Sequence, residues 1–327
     1  MVDLSRAGAA ADRGQVLLVT TFGIAVLFVV LALVLNASAH SQAMAAGHGN
    51  DGRDAITVSS AAADGAVGTL EYVNRYNDTD YATLRTELEG GVDDWSESAD
   101  GYAARGGNRA TITVTDTTNG TRIAQATASR AMTNASGVDN WTLASGVSRS
   151  RDARLNVSES ALVAPASDSN TSELLAAEVF HVVVADGSDE WRLFIYRKSG
   201  DVVVRAEDTS GTLQAPCSVT AGSDGYAVVD LSNGSVEGTA CPQLTAFDDV
   251  GSSSSISYHW GSNAGGTYTM TVDQTRGTVA DGDYAPEGSG KPYVTEQLYD
   301  ASVRITYATP RLEYVTETTV TGGDSDA

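Results

Sequence analysis

Residues 180–205 carry the sequence FHVVVADGSDEWRLFIYRKSGDVVVR, in which three runs of β-branched and aromatic residues are separated by short polar segments. Side chains alternate along the middle run, with Trp191, Leu193 and Ile195 on one face and Arg192, Phe194 and Tyr196 on the other. Alternation with a period of two is typical of a β-strand. Asp186-Gly187-Ser188-Asp189 and Ser199-Gly200 are typical of tight turns. The stretch therefore predicts a meander of three antiparallel strands.

The same pattern, short runs of β-branched and aromatic residues separated by polar segments, extends from Ala110 towards the C-terminus. Ile112 and Val114 alternate with threonines before Asn119-Gly120, a strong two-residue hairpin signal, and a second run returns through Ile123. Residues 131–172 are polar and show no clear period, with Trp141 and Leu143 as expected core anchors. Further strands are predicted at Tyr226–Leu231, Ser255–Trp260, Thr267–Val272, Ser302–Tyr307 and Leu312–Val320. We expect an antiparallel, sandwich-like β-rich head over residues 101–320.

A helical stalk is predicted before the head, over residues 37–100. Residues 54–75 have a weak helical spacing. Residues 81–98 have a stronger one, because large apolar side chains recur at intervals of three and four. These are Tyr81, Leu84, Leu88, Val92 and Trp95. Asn77-Asp78-Thr79-Asp80 offers capping residues for the second helix, and Gly90-Gly91 predicts an early end to it. The apolar stripe is expected to pack on the head.

The residues from Val16 to Leu35 carry no charge and are long enough to cross a bilayer, since a helix of this length spans about 30 Å. Arg6 and Arg13 precede this run, and no Lys or Arg follows it before Arg53. This bias predicts a single-pass protein of the cell membrane with its N-terminus in the cytoplasm and its body outside. The fold class is thus α+β. The chain is predicted to consist of a leader (1–15), a transmembrane or filament-core helix (16–36), the stalk, the head and a disordered acidic tail (321–327).

Charge narrows the choice of partners. The chain has 42 Asp and Glu against 20 Lys and Arg, a net charge of −22, and only two of the basic residues are lysines. Nucleic acid is not an expected partner, because binding phosphates requires a basic surface. The composition resembles that of haloarchaeal proteins, which keep a shell of solvated carboxylates in concentrated salt. We therefore expect the protein to be less stable in dilute buffer, where carboxylates repel one another over about 30 Å.

Asp12-Arg13-Gly14-Gln15 stands directly before the apolar run and resembles a prepilin-peptidase site that is cut after Gly14. This layout is similar to that of archaeal type IV pilin-like proteins. The resemblance covers residues 1 to about 40, and position 19 is Val instead of the Glu of typical bacterial pilins. It implies processing at Arg13, Gly14 and Gln15, with the membrane, a prepilin peptidase and other pilin-like subunits as partners. Cleavage after Ala39, in Ala37-Ser38-Ala39, and an uncleaved anchor remain alternatives.

Two cysteines lie in the exported part, where disulfides persist. Cys217 and Cys241 are predicted to pair, because their spacing does not fit a metal site and no histidine lies near them in sequence.

Asn-x-Ser/Thr sequons are frequent in the chain and occur eight times. Asn36 adjoins the membrane helix and is the poorest candidate. The predicted glycosylation sites are Asn77, Asn119, Asn134, Asn140, Asn156, Asn170 and Asn233. Two of them, Asn119 and Asn233, coincide with predicted hairpin turns, where a glycan would point into solvent.

Catalytic motifs are not evident in the sequence. It contains no phosphate-binding loop, nucleophile elbow or zinc-binding H-E-x-x-H motif. His181 and His259 are interpreted as ordinary sheet residues. Neither Asp248-Asp249 nor Asp281-Gly282-Asp283 forms a recognised calcium motif. No enzyme activity, metal or cofactor is expected.

Two functional hypotheses follow. The first is a pilin-like, membrane-anchored structural protein of the cell surface, a minor pilus or pseudopilus component. The alternative is a single-span surface glycoprotein that acts in adhesion or sensing and does not enter a filament.

Overall fold

The computed structural model describes residues 51–76, 80–187, 189–247, 253–279 and 282–322. The chain divides into two units, Met1–Asp51 and Gly52–Ala327, and nearly all of the described residues belong to the second. Most of these residues form antiparallel β-sheets arranged like a sandwich, with few helices, which confirms the β-rich part of the predicted fold class. The predicted leader, membrane helix and processing site lie outside the described residues.

Two long helices open the described part, α1 (Asp51–Tyr76) and α2 (Tyr81–Ala104). Asp80 caps α2 as predicted, since its Oδ1 accepts a hydrogen bond of 2.9 Å from the backbone N–H of Thr83. The helix continues six residues beyond the predicted Ser98, so the predicted boundary between stalk and head at residue 100 falls inside it.

The prediction that Gly90-Gly91 ends the second helix early is wrong, because α2 runs straight through both glycines. A Cβ on Gly91 would lie 2.6 Å from Cγ2 of Thr69 in α1, and one on Gly65 would lie 2.8 Å from the Trp95 ring in α2. These glycines let the two helices approach closely. Packing between the helices therefore outweighs the local cost of glycine in a helix interior.

Fourteen strands follow among the described residues. They are β1 (Arg109–Gln125), β2 (Trp141–Val147), β3 (Ser150–Ser158), β4 (His181–Asp186), β5 (Asp189–Lys198), β6 (Asp201–Glu207), β7 (Cys217–Thr220), β8 (Tyr226–Asp230), β9 (Ser235–Val236), β10 (Thr239–Ala240), β11 (Ser254–His259), β12 (Gly266–Val272), β13 (Tyr293–Ala308) and β14 (Glu313–Thr321). One sheet has the order β10-β9-β8-β3-β12-β1-β13-β14, and the other has the order β2-β11-β4-β5-β6-β7. A short helix, α3 (Thr171–Ala176), follows β3 in the chain.

The predicted meander of residues 180–205 is confirmed as β4, β5 and β6, which pair in sequence order. Ser199 and Gly200 both have positive φ, 58° and 91°, as expected for the two central residues of a type I′ turn. The two faces of β5 also behave as predicted. Trp191, Leu193 and Ile195 enter the core between the sheets. Phe194 and Tyr196 join a smaller cluster under α3.

The predicted hairpin at Asn119-Gly120 is wrong, because both residues lie inside β1, a single strand of 17 residues that pairs with β13 along its length. Glycine is required at position 120 because other residues lie very close to its backbone, and not because the chain turns there. A Cβ there would lie 2.9 Å from both Cβ of Tyr299 and the carbonyl oxygen of Val272. Long-range pairing with β13 thus overrides the local turn signal.

Two cores share the eight-stranded sheet. The larger core, called here the sandwich core, lies between the two sheets and includes Ile123, Leu155, Leu193 and Tyr258. The smaller one, called here the helical core, packs α1 and α2 against β1, β13 and β14. Its buried members are Ala62, Ala66, Leu70, Val73, Leu84, Leu88, Val92, Ile112, Leu298, Ala301, Val303, Ile305 and Val320. The predicted apolar stripe of the second helix therefore packs on the head.

The predicted disulfide is present between Cys217 and Cys241. Cys217 begins β7, an edge strand of the six-stranded sheet, and Cys241 follows β10, an edge strand of the other sheet. The bridge therefore joins the two sheets along one edge of the sandwich. At the C-terminus, β14 extends to Thr321, so the tail that was predicted to be disordered from residue 321 begins in a strand, and residues 323–327 lie outside the described part.

Candidate binding site

A trough of about 450 Å3 lies on the eight-stranded sheet, on the face that points away from the sandwich core. Its lining comes from five neighbouring strands, β8, β3, β12, β1 and β13. Along these strands, residues such as Leu155, Met270 and Ile123 enter the sandwich core. The alternate residues, among them Arg154, Thr269 and Ala124, therefore point into the trough.

The cross-strand register explains the shape of the trough. Arg154 pairs with Thr269, Thr269 with Ala124, and Ala124 with Tyr293, so these four residues form one row across the sheet. Thr269 and Ala124 are short, whereas Arg154 and Tyr293 are long. The row therefore has a low floor between two raised walls. Thr267, two residues before Thr269 on β12 and paired with Asn156, belongs to the same floor.

Arg122 supplies a cation to this site. Its Nε donates a hydrogen bond of 3.2 Å to Oγ1 of Thr269, and its guanidinium lies beside the Tyr293 ring in the trough. Burial raises the pKa of Tyr293, with a further upward contribution from the Glu287 carboxylate, while Arg122 acts in the opposite direction. Arg122 forms no ion pair with any residue that the structure describes. It is therefore a half-buried guanidinium that lies beside the hydroxyls of Thr269 and Tyr293, and the Glu287 carboxylate hydrogen-bonds the same Tyr293 side chain.

Arg154 on the opposite wall differs from Arg122, because it is paired. Its Nε donates to Oδ2 of Asp230 at 2.9 Å. Asp230 is itself held in place, since it accepts hydrogen bonds from the backbone N–H and the side-chain Nδ2 of Asn233. The Arg154 charge is thus largely balanced within the protein, and we assign Arg154 the role of a wall.

Asn156 brings a predicted glycosylation site into the trough. It lies in the middle of β3, between Thr267 on β12 and Val228 on β8. Its buried Oδ1 has no hydrogen-bond partner within the described part of the chain. A glycan on Asn156 would occupy the trough.

The other predicted glycosylation sites differ in accessibility. Asn134 is only 3% exposed, and its Nδ2 donates to Oδ1 of Asp283 at 2.5 Å, so a glycan there requires these contacts to break. Asn119 lies half-buried inside β1. Asn140 and Asn170 are exposed, and each uses only its Oδ1 in the hydrogen bonds recorded for its side chain. This leaves their Nδ2, the atom that carries a glycan, accessible.

The turn predicted at Asn233-Gly234 is confirmed, because these residues link the antiparallel strands β8 and β9. Asn233 is exposed at this turn, with Nδ2 donating to Asp230. Asn77 and the processing residues Arg13, Gly14 and Gln15 lie outside the described residues. Glycosylation at any of these positions remains a prediction.

The two histidines of the head form a pair that the sequence did not predict. His181 and His259 occupy directly opposite positions on β4 and β11, and their rings stack with centroids 5.1 Å apart. His181 Nδ1 donates to the carbonyl oxygen of Val179 at 2.9 Å, which fixes its neutral tautomer. Burial lowers the pKa of His181 to about 4, opposed by that hydrogen bond, and burial also lowers the pKa of His259. Both rings are therefore neutral at pH 7.

Sequence reasoning did not find Arg122 or Tyr293. The available signal was the alternation of Arg122 and Ala124 with Ile123, and of Thr267 and Thr269 with apolar residues, which marks an outward polar face. The sequence does not say which strands are neighbours, so the meeting of these residues was not predictable.

In the part of the chain that the structure describes, no cluster of three or more His, Cys, Asp or Glu side chains is placed to hold a metal ion. The helices within those same residues include none with both the length and the apolar character needed to cross a membrane, and Val16 to Leu35 is not among them. Comparisons with protein-family models, with curated proteins and with solved structures found no significant match to this chain.

Proposed function

We propose that this chain is a pilin-like structural protein of the cell surface, anchored in the membrane of a halophilic archaeon and acting as a minor component of a pilus or pseudopilus. The observation that carries the proposal is the order of the N-terminal residues. Arg13, Gly14 and Gln15 come directly before twenty uncharged residues, Val16 to Leu35. An uncharged run of that length fits a bilayer or the apolar centre of a filament.

Features of the head support export. Disulfides persist mainly in oxidising compartments outside the cytoplasm, and Cys217 is bonded to Cys241 across the sandwich edge. The bias of Lys and Arg towards the leader predicts the same topology.

The helical layer supports a load-bearing attachment between an N-terminal anchor and the head. Near the C-terminal end of α1, the Asn74 side chain forms two hydrogen bonds of 2.9 Å with the backbone N–H and C=O of Leu298 in β13. At the start of α2, the backbone N–H of Tyr81 donates to Glu296 of the same strand. These bonds tie both helices to β13, the strand next to the edge strand β14 of the eight-stranded sheet.

The decisive measurement is the mass of the N-terminal peptide of the full chain recovered from membranes of a host that has a prepilin peptidase. We expect the mature protein to begin at Gln15. The variant Gly14→Val should abolish this terminus, whereas Ala39→Val should leave it unchanged. An intact N-terminus would favour the anchored glycoprotein, and a terminus at His40 would favour a secreted protein.

The alternative function, adhesion or sensing by a surface glycoprotein outside any filament, is favoured by one observation, the trough. A recess of this volume, lined by five strands and containing the Arg122 guanidinium, offers a place for a ligand, which a purely structural head does not need. Electron microscopy of cells that express the chain, with an antibody against the head, separates the two functions. Label along filaments supports the pilin-like role, and label spread over the membrane supports the alternative.

A further inference from the structure

Arg122 lines the trough and forms no ion pair with a carboxylate that the structure describes. Described arginines that do form ion pairs are Arg85, Arg149, Arg151, Arg154, Arg192, Arg197 and Arg304. Within the lining, Arg122 differs from Arg154, which is paired with Asp230. Its bond to Thr269 fixes the side chain over the floor of the trough.

The shape of the trough limits the size of a ligand. Its volume, about 450 Å3, falls within the range of about 300–1,000 Å3 that is usual for small-ligand pockets. Short side chains form the floor, and Tyr293 and Arg154 form walls on either side of it. A ligand of one or two compact rings would lie against the sheet between these walls.

The polar groups of the lining indicate the chemistry of the ligand. Most of the accessible lining is apolar, and apart from the two arginines its polar groups are the hydroxyls of Thr267, Thr269 and Tyr293 and the amides of Asn156 and Gln125. Only Arg122 offers a positive charge that is not already matched by a close carboxylate. This balance fits a polyhydroxylated molecule that carries one negative charge.

A carboxylate fits this single charge better than a phosphate. The guanidinium of arginine forms two parallel hydrogen bonds with a carboxylate. A phosphate dianion would need more positive charge, and Asp230 and Glu287 lie close to the lining. The backbone N–H groups of the central strands are engaged in the ladders between strands, so they do not form an anion-binding nest.

We propose that the trough is a binding site for a sugar acid, a saccharide unit that bears one carboxylate. Arg122 pairs with the carboxylate, and Asn156 and Thr267 bond the ring hydroxyls. The head then recognises acidic polysaccharide in addition to any structural role at the cell surface. This inference does not depend on cleavage after Gly14, so it can fail while the proposed function stands, and the reverse also holds.

The test is a calorimetric titration of the full chain in detergent micelles in about 1 M KCl, where carboxylate repulsion is screened and the head is expected to stay folded, with D-glucuronate and digalacturonate as probes. The protein is produced in a host that does not glycosylate, so that Asn156 is unmodified. We expect saturable binding of the acidic sugars, and we expect the methyl ester of glucuronate to bind at least about tenfold more weakly because it lacks the charge. Arg122→Gln should weaken glucuronate binding by a similar factor.

The matched control is Arg311→Gln, which removes the same charge from an exposed position outside the trough lining and should leave affinity unchanged. Asn156→Ala should weaken binding of both glucuronate and its methyl ester, since it removes a contact to the ring. Equal affinity of the Arg122→Gln variant, with an unchanged Tm, would overturn the proposal. Acetate that competes as well as glucuronate would show an adventitious anion only. Absence of saturable binding up to about 20 mM of either probe would also reject the site.

Discussion

The sandwich core and the helical core are built from different residues, although they share one sheet. The sandwich core contains an aromatic cluster among its aliphatic side chains, in which Tyr258 makes edge-on contacts with Trp141, Phe180 and Tyr268 at centroid distances of 6.0, 5.3 and 5.2 Å. The helical core contains alanine, leucine and valine on the helices, and two glycines let α1 and α2 approach.

The two cores differ in composition because the spaces that their side chains fill differ in width. Two sheets stand about 10 Å apart, so large rings are needed to span the space between them. Two helices that touch each other and a sheet leave less space, and small residues set the closest approach.

The strands β1 and β13 connect the two cores. Ile112, near the start of β1, enters the helical core, and Ile123, near its end, enters the sandwich core. Register shifts between Val114 and Asp116 and between Thr118 and Asn119 lie between them. Because one strand carries both packing surfaces, the two cores should unfold together.

The largest effect is expected from removing a buried leucine. Leu193→Ala in the sandwich core and Leu84→Ala in the helical core should each lower the free energy of unfolding by about 2–5 kcal/mol, because both side chains are fully buried and leave a cavity. Both variants should shift the same single transition, measured by calorimetry and by far-UV circular dichroism. A separate, earlier transition for Leu84→Ala would show that the helical core unfolds independently.

Removing the disulfide should affect the sandwich core more directly than the helical core, because the bridge lies at an edge of the sandwich. It closes a loop with a sequence separation of 24, and replacing Cys217 and Cys241 together by Ser should cost about 3–4 kcal/mol in the chain-entropy model. Hydrogen exchange should speed up first in β7, β9 and β10, because these strands flank the bridge. Amides of α1 and α2 should lose no more protection than the fall in global stability explains, and a larger loss there than in β7, β9 and β10 would contradict a role local to this edge. Non-reducing peptide mapping of the native protein should find both thiols oxidised.

Between pH 6.5 and about 4, acid should weaken the sandwich through a buried histidine of a kind that the helical layer lacks. The helices α1 and α2 and the strands that face them contain no histidine, whereas His181 lies on β4, against His259, Phe194, Arg192 and Glu207, and Glu190 acts on its neighbour His259. The pKa of His181 falls from 6.5 in the unfolded chain to about 4 in the fold, so the unfolded state binds the proton more readily. Stability from neutral His181 is complete above pH 6.5 and is lost as the pH falls towards 4, by about 3 kcal/mol at most.

The matched variant for this acid effect is His181→Gln, which cannot gain the proton. Urea titrations at pH 7 and at pH 4.5 should show a smaller drop in the free energy of unfolding for this variant than for the original chain. Parallel pH profiles for the two proteins would rule out His181 as the responsible group.

The smallest effect is expected at the start of α2. Asp80→Ala removes the acceptor for the backbone N–H of Thr83 and should lower Tm by a few degrees, since one capping bond is lost. Asp80→Asn retains an oxygen acceptor and should restore most of the loss. If Asn and Ala variants melt alike, the charge of Asp80 and not its capping bond stabilises the helix.

Much of the secondary structure was predictable where the determining forces are local. The alternation in Trp191 to Arg197, the turn at Ser199-Gly200, the cap at Asp80 and the stripe of α2 each depend on neighbours within a few residues. The bonding of Cys217 to Cys241 was also predictable, because the chain has no third cysteine.

Predictions failed where a distant contact overrode a local signal. Asn119-Gly120 would form a turn in an isolated hairpin, but β13 and the close approach of Tyr299 extend the strand through it. Gly90-Gly91 would end an isolated helix, but Thr69 of α1 occupies the space that the missing side chain leaves. In residues 131–172 the strands β2 and β3 form within a polar sequence, because β11 and β12 supply their partners from about a hundred residues away.

The sequence by itself determined the local elements, the disulfide, the acidic charge and the N-terminal pattern that motivates the pilin-like proposal. Only the tertiary structure decided the strand order, the division of one sheet between two cores and the trough. The physical reason is range. Periodicity and capping act over a few residues, whereas the trough joins Arg122, Arg154, Thr269 and Tyr293 through the order of β3, β12, β1 and β13, and long-range pairing alone sets that order.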